Sequence, residues 1–426
     1  MLHPAHPVDA EGNATAARFA EVRGTSLALA ESLSEADQTV QSMPDASPTK
    51  WHLAHTTWFF ETFVLVPHRP GYQVHDQRFA YLFNSYYEQA GPRHPRPQRG
   101  MLTRPSAAEV VAYRRHVDEA MTEFLENDAL PQAAAELIEL GLHHEQQHQE
   151  LLLTDILHLL AQNPLRPTYR QAPTATGRAG AKPLAWRAYE GGIHAIGHDG
   201  EGFAFDCERP RHQVLVQPFR LASRAVTNRE WQDFIADGGY RSAPLWLSDG
   251  WATVNREGWQ APLYWEQRDG TWWSMTLHGM RPVEEAAPVC HVSYFEADAF
   301  ARWAGKRLPT EAEWEIAAAP LPVAGNTLGR GALRPLPATE VRRDGAPAQM
   351  FGDVWEWTSS AYSPYPGFRV AEGAVGEYNG KFMCSQNVLR GGSCVTPTEH
   401  MRATYRNFFY PASRWQFSGI RLARDL

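Results

Sequence analysis

Apolar residues recur at helical spacing through the first 163 residues of the chain. After Pro131, leucine or isoleucine occupies positions 137, 140, 151, 156 and 159, and the pattern stops before Pro164. This is the period of an amphipathic helix, and proline is tolerated only in its first turn. Three more periodic segments precede it, at about 13–33, 47–66 and 106–126. The pattern predicts a bundle of four main helices.

Local signals support these helix boundaries. Ser47 and Pro48 are typical of a helix start, and Ser106 with Glu109 predicts a capping box. The stretch 67–105 shows no helical period. A connection of that length inside a compact bundle is usually functional or disordered, and its polar, aromatic and basic residues favour a function.

The second half has a different character. Residues 164–184 are rich in Pro, Gly, Ala, Thr and Arg, which indicates a linker, and 13 of the 15 tryptophans follow residue 185. We therefore expect an α+β protein with a helical domain at 1–163, a linker at 164–184 and a loop-rich domain at 185–426.

Composition narrows the classes of function. The chain has 43% apolar and 21% charged residues and a formal net charge of -8, which disfavours nucleic acid or an anionic membrane as a partner. Its start lacks the apolar core of a signal peptide, and no stretch of about 18 apolar residues follows, so a cytoplasmic location is expected. The four cysteines are scattered and predict neither a disulfide framework nor a zinc ribbon.

The string HHEQQHQE at 143–150 predicts a metal site. His144 and His148 are four residues apart, so on a helix their imidazoles lie one turn apart on one face. That face also carries Leu137, Leu140 and Leu151, and metal sites in bundles use such inward positions. A catalytic site needs a third ligand, and the WHLAH segment offers His52 and His55, between which spacing does not decide.

The same string matches HExxH, the zinc peptidase pattern with Glu145 as general base. The third candidate ligand lies upstream on another helix, which disfavours the zinc peptidase interpretation.

Several motifs together resemble a known family. They are WHLAH and HxxxHxE in the first half, followed in order by GGIHAIG, AVTNREW, RLPTEAEWE, FGDVWEWTSSAY and RGGS. This constellation resembles the ergothioneine-biosynthetic sulfoxide synthases over nearly the whole chain. The resemblance implies a DinB-like four-helix bundle followed by a C-type-lectin-like α+β domain of the formylglycine-generating-enzyme type. It also implies non-haem iron(II) held by His55, His144 and His148, with O₂ as a substrate.

The resemblance implies the organic substrates as well. The family joins cysteine or γ-glutamylcysteine to the imidazole of hercynine (Nα-trimethylhistidine), and aromatic faces can hold its quaternary ammonium. Asn407, Phe408 and Phe409 resemble the family's substrate loop, and Gln147 resembles a residue that hydrogen-bonds the imidazole. Because these residues come from both halves, we expect the pocket to need both domains.

Two further roles follow from the loop before the third main helix. Arg96 and Arg99 are candidates to bind the carboxylate of the thiol substrate. Tyr86 and Tyr87 resemble the paired tyrosines that donate a proton in one branch of the family, whereas other members use a tyrosine of the second domain, here Tyr378.

The second half departs from the formylglycine-generating enzymes at their reactive cysteines. Those positions, three and eight residues beyond Ser393, hold Thr396 and Met401, and Cys394 is out of register. We infer that the domain has lost thiol-based oxidation of peptides and forms the substrate pocket.

Three other functions remain possible from the sequence. A DinB-type metal-dependent thiol transferase would leave the Trp-rich half unexplained, and a sugar- or protein-binding module would need no iron. The ovothiol-type 5-histidylcysteine sulfoxide synthases use histidine and often carry a C-terminal methyltransferase, for which a chain ending at Leu426 leaves no room. The sequence does not predict an oligomeric state.

Overall fold

A computed structural model describes residues 7–126, 130–172, 180–338, 345–372 and 374–426. The chain forms two compact units, Met1–Pro164 with Gly373–Glu377, and Leu165–Glu372 with Tyr378–Leu426. Within the expected linker, residues 173–179 lie outside the described residues. Residues 165–172 of the expected linker are part of the second unit, where the backbone N–H groups of Tyr169 and Arg170 both donate to Leu277 O.

The first unit is helical. Its helices are α1 (Pro7–Ala30), α2 (Glu35–Thr39), α3 (Thr49–Phe60), α4 (Val66–His68), α5 (Phe79–Phe83), α6 (Ala107–Leu125) and α7 (Gln132–Gln162), and a π-helical turn, Glu61–Leu65, joins α3 to α4. The capping box predicted at Ser106 and Glu109 is confirmed. Helix α3 begins at Thr49 without a side-chain cap, and the hydroxyl of Ser47 instead accepts a hydrogen bond from Arg99.

Helix α3 is the centre of the bundle. Every residue from Thr49 to Phe60 is buried, and the helix packs against both α6 and α7. A helix buried on all sides shows no polar face, so polar residues on it must meet other polar groups inside the protein. This placement brings its two histidines against α7.

The second unit combines small sheets with short helices. Its strands are β1 (Trp186–Tyr189), β2 (Gly192–Ile196), β3 (His212–Val216), β4 (Phe219–Ala222), β5 (Trp265–Arg268), β6 (Thr271–Thr276), β7 (Gly279–Pro282), β8 (Trp355–Ala361), β9 (Asn387–Arg390), β10 (Asn407–Phe409), β11 (Ser418–Gly419) and β12 (Ala423–Asp425). They form sheets of order β1-β4-β12, β10-β9-β8-β11, β2-β3 and β5-β6-β7. The helices are α8 (Asn228–Ala236), α9 (Ser248–Glu257), α10 (Tyr294–Trp303) and α11 (Glu311–Ala318).

The core of the second unit lies between β4 and α11. Phe219 and Leu221 of β4 pack with Trp314 of α11 in one buried cluster. The indole Nε1 of Trp314 donates to Glu356 at 2.7 Å, and Glu356 pairs with Arg421, so the indole N–H and the carboxylate in this core both have partners. Among the described residues, no helix has the length and apolar character needed to cross a membrane.

Candidate active site

The first unit brings three histidines together. His55 of α3 and His144 and His148 of α7 each offer a ring nitrogen, and these atoms lie within 4.8 Å of one another. Nε2 of His55 is 3.1 Å from Nε2 of His144. His55 and His144 are almost completely buried.

The other ring nitrogens are used to orient the rings. Nδ1 of His55 donates to Phe83 O, the carbonyl at the end of α5, at 2.6 Å. Nδ1 of His148 lies 2.8 Å from Nδ1 of His52. Both contacts leave Nε2 directed at the cluster. The two histidines of α3 therefore have different positions: His55 is in the cluster, and His52 lies behind His148.

The surroundings of the cluster favour the neutral form of its histidines. Burial, followed by the neighbouring His144, lowers the pKa of His55 well below the usual histidine value. Burial lowers the pKa of His144 to about 3, and burial and then His144 lower the pKa of His148. Neutral imidazole is the form that binds metal ions.

The geometry of the cluster fits a metal ion. Two nitrogens bound to one ion at about 2.1 Å, with the angles of tetrahedral or octahedral coordination, lie about 3.0–3.4 Å apart. The 3.1 Å between His55 Nε2 and His144 Nε2 falls in this range. Three neutral nitrogen ligands also leave coordination positions open. These residues can hold a metal cofactor.

Glu145 belongs to a separate buried cluster. Its carboxylate accepts from Arg23 Nη1 at 2.8 Å, from Ser26 Oγ at 2.6 Å and from Arg114. Burial opposes its ionisation, yet Arg114 and Arg23 lower the pKa of Glu145 to about 2. A carboxylate held in this way is a weak base, which argues against the peptidase interpretation of HExxH.

Arg99 is a buried guanidinium beside the histidines. Its side chain lies 3.4 Å from the ring of Trp51, and Trp51 stacks on His55 with ring centroids 4.6 Å apart. Arg99 donates to the hydroxyls of Ser47 and Ser85, but its Nε has no hydrogen-bond partner and, within the described part of the chain, it forms no ion pair. Burial lowers the pKa of Arg99. Such a group favours an anionic ligand.

Arg96 is placed differently. It is exposed at the surface and donates to the backbone carbonyl of Asp45. Of the two arginines, Arg99 has the stronger case as an anion-binding residue.

The paired tyrosines lie on a braced loop. Tyr86 and Tyr87 stack at 4.7 Å, and Tyr87 is buried against Trp58, whose ring stacks on His55. Asn84 holds the loop, because its side chain accepts from Tyr87 N and donates to Tyr87 O. The carboxylate of Glu377, which also belongs to the first unit, accepts hydrogen bonds from the backbone N–H groups of Glu88 and Gln89.

The remaining candidates occupy their elements as follows. Gln147 is half-buried on α7 beside His148. Asn407, Phe408 and Phe409 form β10 in the second unit, where Phe408 stacks on Tyr362 with centroids 4.0 Å apart.

Two neighbouring features of the second unit bear on these candidates. Arg406 anchors the start of β10 through a buried bidentate pair with Glu311 at 2.9 and 3.0 Å. Tyr378 is also in the second unit, stacked on Phe205.

The positions of the formylglycine-generating enzymes' cysteines hold no thiol. Thr396 Oγ1 accepts from Ser393 N at 2.7 Å, and Met401 packs in the core cluster. Burial raises the pKa of Cys207 to about 12, and burial also raises the pKa of Cys290. Neither thiol is a nucleophile at neutral pH.

Sequence reasoning missed two groups that lie beside the histidine cluster. Asp155 of α7 lies 3.0 Å from His52 Nε2, and Trp51 covers His55. A signal for Asp155 was present, because an acidic residue seven positions after His148 falls on the same helical face. Nothing in the sequence indicated that Phe83 O orients His55.

Known proteins resemble both halves of the chain. Residues 18–152 match the DinB superfamily, and residues 188–331 and 345–426 match the sulfatase-modifying factor enzyme 1-like domain. These matches confirm the predicted α+β architecture of a DinB-like bundle followed by a domain of the formylglycine-generating-enzyme type.

Similar proteins extend over nearly the full length. The chain is 36% identical over 443 residues to hercynine oxygenase of Mycolicibacterium thermoresistibile, covering 96% of this chain and 94% of that protein. It is 35% identical to hercynine oxygenase of Mycolicibacterium smegmatis, with 96% and 98% covered. Ergothioneine biosynthesis protein 1 of Schizosaccharomyces pombe is 29% identical over 52% of this chain and 28% of its own length. The chain belongs to the hercynine oxygenase family.

Proposed function

We propose that this protein is a non-haem iron(II) sulfoxide synthase that uses O₂ to join cysteine or γ-glutamylcysteine to hercynine in ergothioneine biosynthesis. The reaction forms one carbon–sulfur and one sulfur–oxygen bond. O₂ takes the imidazole C–H and thiol hydrogens as one water and leaves its second oxygen on sulfur. The observation that carries the proposal is the cluster of three neutral histidines in a chain of this family.

His55, His144 and His148 would hold the iron. Iron(II) supplies open coordination positions and the one-electron chemistry that O₂ activation requires. The protein contributes neutral ligands with fixed orientations, because Phe83 O holds the ring of His55 and His52 lies against that of His148.

Arg99 would bind the carboxylate of the thiol substrate. Its unsatisfied Nε and its missing ion-pair partner among the described residues favour an anion there. Trp51 lies between Arg99 and His55, so a carboxylate on Arg99 would place the attached thiol near the cluster.

Gln147 would hydrogen-bond the imidazole of hercynine, because an amide both donates and accepts and therefore suits a neutral ring. Asn407, Phe408 and Phe409 would contact the ammonium and carboxylate end. A quaternary ammonium offers no N–H donor, so aromatic faces are its suitable partners.

Tyr86 and Tyr87 would supply the proton that oxygen reduction consumes. Tyr87 is buried in the ring stack that reaches His55 through Trp58, whereas Tyr86 is only half-buried and covers Tyr87.

Oxygen consumption and product analysis test the proposal. Protein loaded anaerobically with iron(II) should consume O₂ and form sulfoxide with hercynine plus one of the two thiols. His55→Ala, His144→Ala and His148→Ala should each lose iron, because two protein ligands hold a labile ion poorly. A preference for histidine over hercynine would promote the ovothiol-type activity. Full iron occupancy in His55→Ala together with iron loss in His52→Ala would reassign the ligand.

A further inference from the structure

His52 joins a histidine of the metal cluster to a buried carboxylate. Its Nδ1 lies 2.8 Å from Nδ1 of His148, and its Nε2 lies 3.0 Å from Oδ2 of Asp155. His52 is 3% exposed and Asp155 is 7% exposed. The three side chains form a continuous chain from α7 to α3 and back to α7, two turns further along.

Metal binding fixes every proton in this chain. A neutral imidazole has one N–H, so a His148 that gives the lone pair of Nε2 to a metal carries its hydrogen on Nδ1. That hydrogen is donated to Nδ1 of His52, which must then be the acceptor nitrogen. His52 consequently carries its own hydrogen on Nε2 and donates it to Asp155. With a carboxylate that only accepts, no other arrangement of neutral rings satisfies both contacts.

The carboxylate end of the chain is itself held in place. Oδ2 of Asp155 also accepts from the backbone N–H of Ser47 at 2.8 Å, just before helix α3 begins. The hydroxyl of Ser47 accepts from Arg99 at 2.9 Å. One oxygen of Asp155 therefore receives two N–H groups from the start of α3 and from its first turn.

The proposed metal ligands consequently differ in the charge of the group to which each ring is hydrogen-bonded. His55 donates to a neutral backbone carbonyl, Phe83 O, whereas His148 is linked to a full negative charge through one intervening ring. Carboxylates behind metal-binding histidines fix the tautomer and increase the donor strength of the ligand.

We propose that Asp155 and His52 are positioning residues that fix the tautomer and ring plane of His148 and strengthen it as a metal ligand. The inference rests on the proposed metal site and deepens it. Stronger donation from His148 increases the affinity for divalent metals and favours the oxidised metal. Loss of the Asp155 charge therefore raises the reduction potential of bound iron.

Three variants separate the contributions. Asp155→Asn can keep both hydrogen bonds, since a single oxygen accepts them, and removes only the charge. His52→Asn keeps an acceptor near His148 and breaks the link to Asp155, and Asp155→Ala removes both the charge and the acceptor. The matched control is Glu139→Gln, because Glu139 pairs with His143 on the same helix without contacting the cluster.

Anaerobic titration with iron(II) and cobalt(II) provides the first measurement. We expect His52→Asn and Asp155→Ala to bind about 10- to 100-fold more weakly than the wild type, and Asp155→Asn to lose less affinity. The cobalt(II) absorption bands should move in all three variants, and the iron potential should rise in Asp155→Asn. Glu139→Gln should match the wild type in each measurement.

The tautomers can be read directly in the unaltered protein. In zinc-loaded protein labelled with ¹⁵N in its histidines, ring nitrogen shifts should show hydrogen on Nδ1 of His148 and on Nε2 of His52. Hydrogen on Nδ1 of His52, or wild-type affinity and cobalt spectra in Asp155→Ala, would overturn the inference. Metal retained by His148→Ala would instead count against the proposed metal site.

Discussion

Replacing Glu145 by glutamine is expected to destabilise the helical unit and not to remove a catalytic base. The carboxylate is completely buried between Arg23, Arg114 and Ser26. Glutamine keeps the shape and removes the charge. Arg23 retains Asp118 at 2.6 Å, whereas Arg114 loses its ion-pair partner within the described part of the chain.

The lowered pKa of Glu145 gives the size of the expected loss of folding free energy. Burial alone would raise it, but Arg114 and Arg23 lower it from 4.5 to about 2. At about 1.36 kcal/mol for each pKa unit, the charge contributes about 3 kcal/mol to folding. Removing one partner of a buried ion pair typically costs about 3–5 kcal/mol, which agrees. Since the folded-state pKa is depressed, this contribution is complete above about pH 4.5 and is lost as the pH falls toward 2.

Denaturant unfolding of the metal-free protein, followed by the helical circular dichroism signal, measures the effect. Glu145→Gln should lose about 3 kcal/mol at neutral pH, and adding Arg114→Met should recover part of the loss by removing the unpaired charge. Glu139 also has a pKa lowered to about 2, but its pair with Arg18 is about one-third exposed, so solvent screens the interaction; the control Glu139→Gln should cost less than about 1 kcal/mol. If Glu145→Gln were as stable as Glu139→Gln, the buried cluster would not have the assigned role.

Three other predictions concern the site. The affinity of the folded protein for cobalt(II) should be nearly constant between about pH 5.5 and 7.5, because the surroundings already favour neutral histidines. Three histidines with the ordinary pKa would instead bind cobalt(II) about 1,000-fold more weakly at about pH 5.5 than at about pH 7.5, and a steep decrease of this kind would contradict the prediction. Tyr86→Phe/Tyr87→Phe should keep iron and divert O₂ toward oxidation of the thiol alone, and an unchanged sulfoxide yield would move the role to Tyr378. Phe408→Ala should reduce the preference for hercynine over histidine by about 0.5–2 kcal/mol in relative kcat/KM, and an unaltered ratio would exclude contact with the ammonium.

Local sequence patterns predicted much of the fold. The helical period located the four main helices, and the spacing of His144 and His148 placed both rings on one face of α7. The first helix begins at Pro7, earlier than the periodicity indicated. Short helices such as α2 and α5 were not predicted, because five residues are too few to show a period.

Long-range contacts explain what the sequence did not reveal. His52 and His55 both face α7, so a helical period does not separate ligand from neighbour. Glu145 and Arg23 are 122 positions apart, and their pairing is a property of the packed bundle. The burial of Arg99 depends likewise on how an irregular segment folds against Trp51.

The hydrogen bond from His55 to Phe83 O links metal occupancy to the order of a loop. Phe83 is the last residue of α5, and the segment bearing the tyrosines starts at the next residue. A metal that holds His55 in one orientation therefore also holds the start of this segment. Local unfolding that extends to Phe83 releases that carbonyl, so metal binding and the ordered segment stabilise each other by the same free energy. Amide hydrogen exchange across residues 84–91 should slow when metal is added, and a ligand that orders these residues should slow metal loss.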